Sequence, residues 1–230
     1  MENKDILTRI DHTALSATTT TADIAELCRE ATIHGCAAVC IPPAYVATGR
    51  ELLSDLASPV ALCTVIGFPL GYQTSTVKMI ELTQAIGDGA DELDVVINLG
   101  MVKNNNWEDL ENELTALRTA SAGKILKVIV ETCYLTEGEK IRLCQLVTRV
   151  KADYIKTSTG FGEAGAALED IALFREHIGQ HVKIKAAGGI RTRDEMIAFI
   201  EAGCDRIGSS RGVSVLTESN TEVATQAEMR

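Results

Sequence analysis

A chain of 230 residues, 46% hydrophobic and 23% charged, is long enough to bury the core of one large α/β domain. Its 32 acidic residues outnumber 22 basic ones and leave a net charge of −10, a field that repels a nucleic-acid backbone or an anionic membrane; aromatics at 4% offer few platforms for stacking bases. A phosphorylated small molecule stays compatible with that charge, because a few cations and backbone N–H groups can hold an anion locally.

The N-terminal stretch MENKDILTRIDHT lacks an apolar signal region, and no apolar run approaches the ~20 residues of a membrane span, so a cytoplasmic protein is expected. In that compartment seven cysteines without a CxxC pair read as reduced thiols. The four histidines are scattered and no Cys/His spacing resembles a zinc site, so neither a metal nor a cofactor is implied. The first predicted strand, RIDHTA, carries Asp11 and His12, the latter suited to a structural hydrogen bond. A helical pattern over 21–34 leads to the second strand, CAAVCIP, with Cys40; a helix over 43–56 leads to the third, VALCTVIGF. The loop GFPLG follows, either shaping the chain or flanking a substrate. Then come a helix over 74–88, the strand ELDVVIN, a helix over 107–120, the strand ILKVIVET, a helix over 136–150 and the strand DYIKTST. A helix over 168–178, the strand VKIKAAGG, a helix over 193–202 and the strand DRIGSS complete the pattern. Thr192 ahead of RDEM, with Glu195 three residues on, makes a capping box, and glycines in HGC, GDGAD and EAGCD stand where helices end. Residues 217–230 are polar and are expected to form a flexible tail.

Eight β units spaced by roughly 23–34 residues require parallel strands joined by crossover helices. In a chain somewhat shorter than ~250 residues they predict a (β/α)8 TIM barrel, one domain over residues 1–230. An open doubly wound sheet lacks support, since no GxGxxG follows the first strand.

Alternate residues of a barrel strand face the lumen. Leu93, Val95 and Ile97 suit the helix layer, which turns Asp94 inward. By the same parity Leu126 and Val128 send Lys127 inward, Ile155 sends Lys156 inward, and Val182 and Ile184 send Lys183 and Lys185 inward, with Lys183 deep enough to reach the bottom rim and solvent. Any one of these lysines could be a structural ion pair; several on adjacent strands are expensive unless used, since each isolated charge costs several kcal/mol to desolvate. Active sites in this fold lie at the C-terminal ends of the strands, and Lys156 and Lys185 each precede a Gly-containing loop, TSTGFGE and AAGGIRT. Gly188, Gly189, Gly208, Ser209 and Ser210 follow the seventh and eighth strands, where backbone N–H groups often hold a phosphate, and Gly160 adds a third loop.

Paired buried lysines suit amine nucleophilic catalysis. A lysine at its ordinary pKa of ~10.4 is protonated at pH 7 and cannot attack a carbonyl; bringing it near 7 takes ~3 units, about 4–5 kcal/mol, which burial and a neighbouring like charge can supply. Lys156 would be the nucleophile and Lys185 its perturber, or the reverse. Asp94 would shuttle protons.

The segments YIKTSTGF, VKIKAAGGIRT, ADELDVVINLG, LKVIVET, VIGFPLG and RIGSSRG together resemble the deoxyribose-phosphate aldolase family, over about residues 11–216. The resemblance implies a class I aldolase on a TIM barrel that cleaves 2-deoxy-D-ribose 5-phosphate reversibly to D-glyceraldehyde 3-phosphate and acetaldehyde in deoxynucleoside catabolism, and barrels that commonly pair as homodimers. It makes Lys156 the Schiff-base residue, Lys185 the partner that tunes it and moves protons, and Asp94 a member of the proton relay. Phosphate contacts fall on Gly160, Gly188, Gly189, Gly208 and Ser209, with Ser210 beside them, while Asp11 and Cys40 occupy family-like positions in the barrel; with Lys127, inward by parity, they form the expected supporting interior. Some relatives end in a tyrosine that assists proton transfer; this chain ends AEMR, with no tyrosine after Tyr154, so the proton is expected through Asp94, Lys185 and water. Two other readings of the same residues are a phosphosugar isomerase or decarboxylase using Lys and Asp without a covalent step, and a non-catalytic phosphate-ligand binding barrel.

Overall fold

The computed structural model describes residues 1–217. In chain order the elements are α1 (Asn3–Leu7), β1 (Ile10–Thr13), α2 (Thr21–His34), β2 (Ala38–Ile41), α3 (Val46–Asp55), β3 (Ala61–Ile66), α4 (Ser75–Gly87), β4 (Glu92–Val96), α5 (Leu99–Lys103), α6 (Trp107–Ala120), β5 (Ile125–Ile129), α7 (Glu137–Arg149), β6 (Tyr154–Lys156), α8 (Leu168–His177), β7 (Lys183–Ala187), α9 (Arg193–Ala202) and β8 (Arg206–Ser209). The strands are all parallel and close in sequence order, β8 pairing back onto β1, which is the expected (β/α)8 barrel. Among the described residues no helix is long and apolar enough to cross a membrane. The tail expected over 217–230 lies, apart from Thr217, outside the described residues.

The cap signals act where the sequence placed them. Thr192 accepts the Glu195 N–H while the Glu195 carboxylate accepts the Thr192 N–H, and Gly35 and Gly203 end α2 and α9 in the left-handed conformation (φ 65° and 110°). The helix expected from residue 43 begins instead as a 3-10 turn over Pro43–Tyr45, with Pro43 at its first position, and α3 follows from Val46. α1 and α5 were not expected: five residues carry no readable helical period.

The outward strand faces carry Leu93, Val95, Leu126, Val128, Ile155 and Ile184, packed with Leu82, Leu110, Leu143 and Phe174 of the helices. Each such side chain contributes about 1.5–3 kcal/mol on burial, so the layer between strands and helices carries the stability and leaves the lumen free for charge. The lumen is two-sided. Against β2 and β3 it is apolar, lined by Ala38, Cys40, Cys63 and Val65 with Leu15 and Phe68 packed on them; around β4 to β8 and β1 it is ionic.

Candidate active site

Strand register sets the depth of each charge. Lys156 stands opposite Lys185 on β7, whereas Asp94 stands opposite Lys127, which in turn faces Tyr154. Asp94 is therefore a layer deeper than Lys156, and its carboxylate reaches up. Oδ2 of Asp94 accepts from Lys156 Nζ at 2.7 Å and from Lys185 Nζ at 2.8 Å, while Oδ1 accepts from Lys127 Nζ at 2.7 Å and from the Cys63 thiol at 3.1 Å. One carboxylate thus bridges three lysines.

Asp11 on β1 closes the network from the other side: it pairs with Lys185 and Arg206, and Arg206 continues to Glu92 Oε1 at 3.0 Å, which lies beside Lys127 at 2.6 Å through its other oxygen. Gly208 makes this possible, for a Cβ there would lie 3.3 Å from Lys185 Cε. Burial works against the charge on Asp94, yet Lys127, Lys156 and Lys185 outweigh it and hold the carboxyl well below its usual range; Asp11 is likewise lowered against burial, by Lys185, Lys127 and Arg206. Burial also disfavours the ammonium of Lys185, but Asp11 and Asp94 hold it above the ordinary lysine range, and Asp94, Cys63 and Glu92 do the same for Lys127. The result is four cations, Lys127, Lys156, Lys185 and Arg206, around three carboxylates, Asp11, Glu92 and Asp94.

Above this layer opens a cavity of about 800 Å³. Lys156 is the member of the ionic network that lines it, together with Gly160, Gly188, Gly189, Gly208, Ser209 and Ser210. Gly160, Gly188 and Gly189 all have positive φ (87°, 84° and 81°), and a Cβ on Gly188 would lie 3.2 Å from Gly160 Cα, so the two loops pack backbone to backbone. Among the described residues the N–H groups of Gly160, Gly188, Gly189 and Ser210 have no acceptor, an arrangement of donors from three loops that suits an anion. The Ser209 hydroxyl is turned inward, donating to the Ile190 carbonyl at 3.3 Å and accepting from Arg211 N–H at 3.2 Å.

The residues expected to act in catalysis, phosphate binding or support all lie at this end of the lumen or in the layer beneath it. Cys40 stands in register with Cys63, and its Sγ lies within 4.8 Å of the Cys63 and Asp94 ligand atoms. That trio has the makings of a metal site, but Lys127 Nζ already lies 3.2 Å from Cys63 Sγ and 2.7 Å from Asp94, where a cation would sit. Lys183 is exposed at the opposite rim, 5.8 Å from the Tyr154 ring, and His12 Nε2 donates to the Glu30 carboxylate at 2.8 Å, the structural role expected of it. GFPLG proves to cap the lumen: Phe68 packs on the apolar side and stands edge-on to Phe161 at 5.3 Å. Glu92 and Arg206 were missed, although both share the inward parity of Asp94 and Gly208. The loop after β1, Thr13 to Thr19, and the rim arginines Arg191 and Arg211 also line the cavity, and nothing in strand parity could have shown them.

A family model described as DeoC/LacD family aldolase matches residues 6–218. The chain belongs to that family. A deoxyribose-phosphate aldolase of Clostridium botulinum (strain Alaska E43 / Type E3) is 49% identical over 222 residues, covering 96% of this chain and 99% of the relative. Among solved structures, an aldolase called QR15 is 38% identical, with a TM-score of 0.89 over 96% of this chain and 98% of that one. A tetrameric deoxyribose phosphate aldolase from Aeropyrum pernix is 33% identical, with a TM-score of 0.87 over 96% of this chain and 93% of its own.

Proposed function

We infer that the protein is a class I deoxyribose-phosphate aldolase, acting as one barrel domain, and that Lys156 forms the Schiff base. The observation that carries the assignment is access. Of the three lysines on Asp94, Lys156 lines the cavity, while Lys185 and Lys127 are sealed beneath it and held cationic by carboxylates. This supports Lys156 over Lys185 as the nucleophile, a choice that strand parity alone left open.

The neutral amine of Lys156 attacks C1 of the open-chain sugar, and loss of water gives an iminium. Asp94 Oδ2, 2.7 Å from Nζ, holds that nitrogen by a hydrogen bond while its ammonium proton passes to water, and Lys185 stabilises the carboxylate from its far side. Transfer of the C3 hydroxyl proton to water in the relay with Asp94 and Lys185 then breaks the C2–C3 bond. The electron pair moves into the iminium to form an enamine, and glyceraldehyde 3-phosphate departs. Protonation of the enamine at C2, through Asp94, Lys185 and water, and hydrolysis release acetaldehyde and the free amine. The N–H groups of Gly160, Gly188, Gly189 and Ser210 bind the 5-phosphate and orient the chain of the sugar from the end remote from the chemistry. Gly208 and Ser209 shape that wall.

The deciding experiment is borohydride reduction in the presence of acetaldehyde. Trapping should add about 28 Da, a two-carbon unit with four hydrogens, at Lys156 in the peptide map. Retro-aldol activity without an adduct at Lys156 would instead support the non-covalent reading, and an adduct at Lys185 would reverse the assignment. The reading includes a cytoplasmic setting, where thiols such as Cys40 and Cys63 remain reduced. Light scattering distinguishes the homodimer implied by family resemblance from a tetramer like that described for the Aeropyrum pernix relative.

A further inference from the structure

Glu131, just beyond β5, is a carboxylate that the chemistry above does not use. It is 3% exposed, and no cation pairs with it among the described residues. Its backbone is left-handed (φ 54°, ψ 69°), a conformation that non-glycine residues rarely adopt and that clusters at functional sites. The hydrogen-bond donors to its carboxylate all lie on one residue of the loop after β6. Thr159 N–H donates to Oε1 at 3.1 Å and to Oε2 at 3.3 Å, and the Thr159 hydroxyl donates to Oε2. The Thr159 oxygen in turn accepts from Phe161 N–H at 3.0 Å. Gly162 lies flat against the same group, since a Cβ there would come within 3.2 Å of Glu131 Cδ, and Thr132 N–H donates to the Thr157 carbonyl at 3.0 Å.

These bonds sort the N–H groups of the loop. Those of Thr159 and Phe161 are taken by Glu131 and by the hydroxyl that Glu131 orients. The one between them, on Gly160, has no acceptor among the described residues and belongs to the cavity wall. We propose that Glu131 is a positioning residue for substrate phosphate: without touching the ligand, it fixes the β6 loop in the conformation that leaves the Gly160 N–H for the anion. Selectivity for a phosphorylated over a free sugar then depends on a carboxylate outside the cavity. The inference deepens the aldolase reading and rests on its phosphate subsite.

The test compares Glu131→Ala, Glu131→Gln and Thr159→Val with the unaltered chain. Two quantities are measured: the ratio of kcat/KM for 2-deoxyribose 5-phosphate to that for 2-deoxyribose, and the Kd of inorganic phosphate by calorimetry. Glu131→Ala should lower the ratio about tenfold, chiefly through the KM of the phosphorylated sugar, and weaken phosphate by a similar factor, the effect of one hydrogen bond lost to misplacement. Glu131→Gln still offers Thr159 N–H an oxygen and should keep most of the preference; Thr159→Val should fall between. An equal loss on both sugars, an unchanged phosphate Kd, or a glutamine variant as impaired as the alanine one overturns the proposal. If Glu131→Ala does not fold, the other two variants decide, and an unchanged ratio in Thr159→Val is then fatal. Should the unaltered protein cleave neither sugar, the aldolase reading fails, while the phosphate Kd series still decides the role of Glu131; no phosphate binding by the unaltered chain would end that proposal as well.

Discussion

In the helical layer, Lys78 of α4 reaches across to Glu113 of α6 at 2.7 Å and also donates to the Val96 carbonyl at the end of β4 at 2.9 Å, and Ser75 occupies the other Glu113 oxygen at 2.7 Å. In the lumen, Lys127, Lys156 and Lys185 crowd one carboxylate, Asp94. Both regions exclude water from lysine stems, but the first is a closed one-to-one pair and the second carries more cations than carboxylates and opens to a cavity at one member. The direction of pKa shift does not separate structure from function here. Burial pulls Lys78 below the ordinary range despite Glu113, whereas Lys127 and Lys185 lie above it. Access and charge imbalance do separate them: a lysine sealed against its own carboxylate holds the fold, and one that faces a cavity across an over-subscribed carboxylate is available for chemistry.

The largest break in that contrast is Lys156→Ala. It should lower kcat at least about 10⁴-fold, because the covalent route disappears, while the protein keeps its fold. The deleted charge is the surplus one, so four cations against three carboxylates become three against three. Steady-state kinetics and thermal melting check both halves; a melting temperature that collapses with activity would place Lys156 with Lys78 instead.

Lys185→Leu tests the other lumen lysine. Its removal leaves Asp94 and Asp11 short of a cation and takes a like charge from beside Lys156; both changes favour the Lys156 ammonium over the amine. Activity at pH 7 should fall about 10²-fold, and the acid limb of the kcat/KM profile should move to higher pH. A profile that falls in height without moving would deny Lys185 its tuning role.

These expectations draw on residues that were legible to different degrees. Alternation along β4 to β7 revealed Asp94, Lys127, Lys156 and Lys185, because a charge in an otherwise apolar strand can only face the lumen. Extended to Glu92 and Arg206, the same rule reaches the whole ionic layer. It does not tell which lysine meets the cavity, since that depends on how the loops after β6, β7 and β8 fold over the strand ends. Glu131 was hidden for a related reason: its left-handed backbone and its grip on Thr159 are products of loop packing, and in VIVET it reads as an ordinary strand-end acid. The Lys78–Glu113 pair joins residues 35 positions apart on two helices, with no periodic signal to link them.

That pair supplies the converse test. Lys78→Met strands a buried Glu113 carboxylate and should cost about 3–5 kcal/mol of stability in denaturant unfolding. The kcat of the folded protein should stay within about twofold, since the pair touches neither cavity nor Asp94. Adding Glu113→Leu should restore most of the loss, because two apolar side chains of similar size can replace a buried pair. If the double variant regains stability but loses turnover, the helical pair acts on the site through Val96, two residues beyond Asp94, and the two regions are one system.

Lys183 is the smallest probe and the sharpest control on parity. It points inward by the same alternation as Lys185, two residues away, yet the strand begins there, so its ammonium emerges at the bottom rim over the Tyr154 ring. Tyr154 also carries Lys127 and Arg206 near its face, so removing one exposed cation from a shared ring forfeits little. Lys183→Ala should shift Tm by less than about 4 °C and leave kcat/KM unchanged. A lysine with the right parity at the wrong end of the strand would then be inert, because depth along the barrel axis, and the water it admits, decides whether an inward charge is strained.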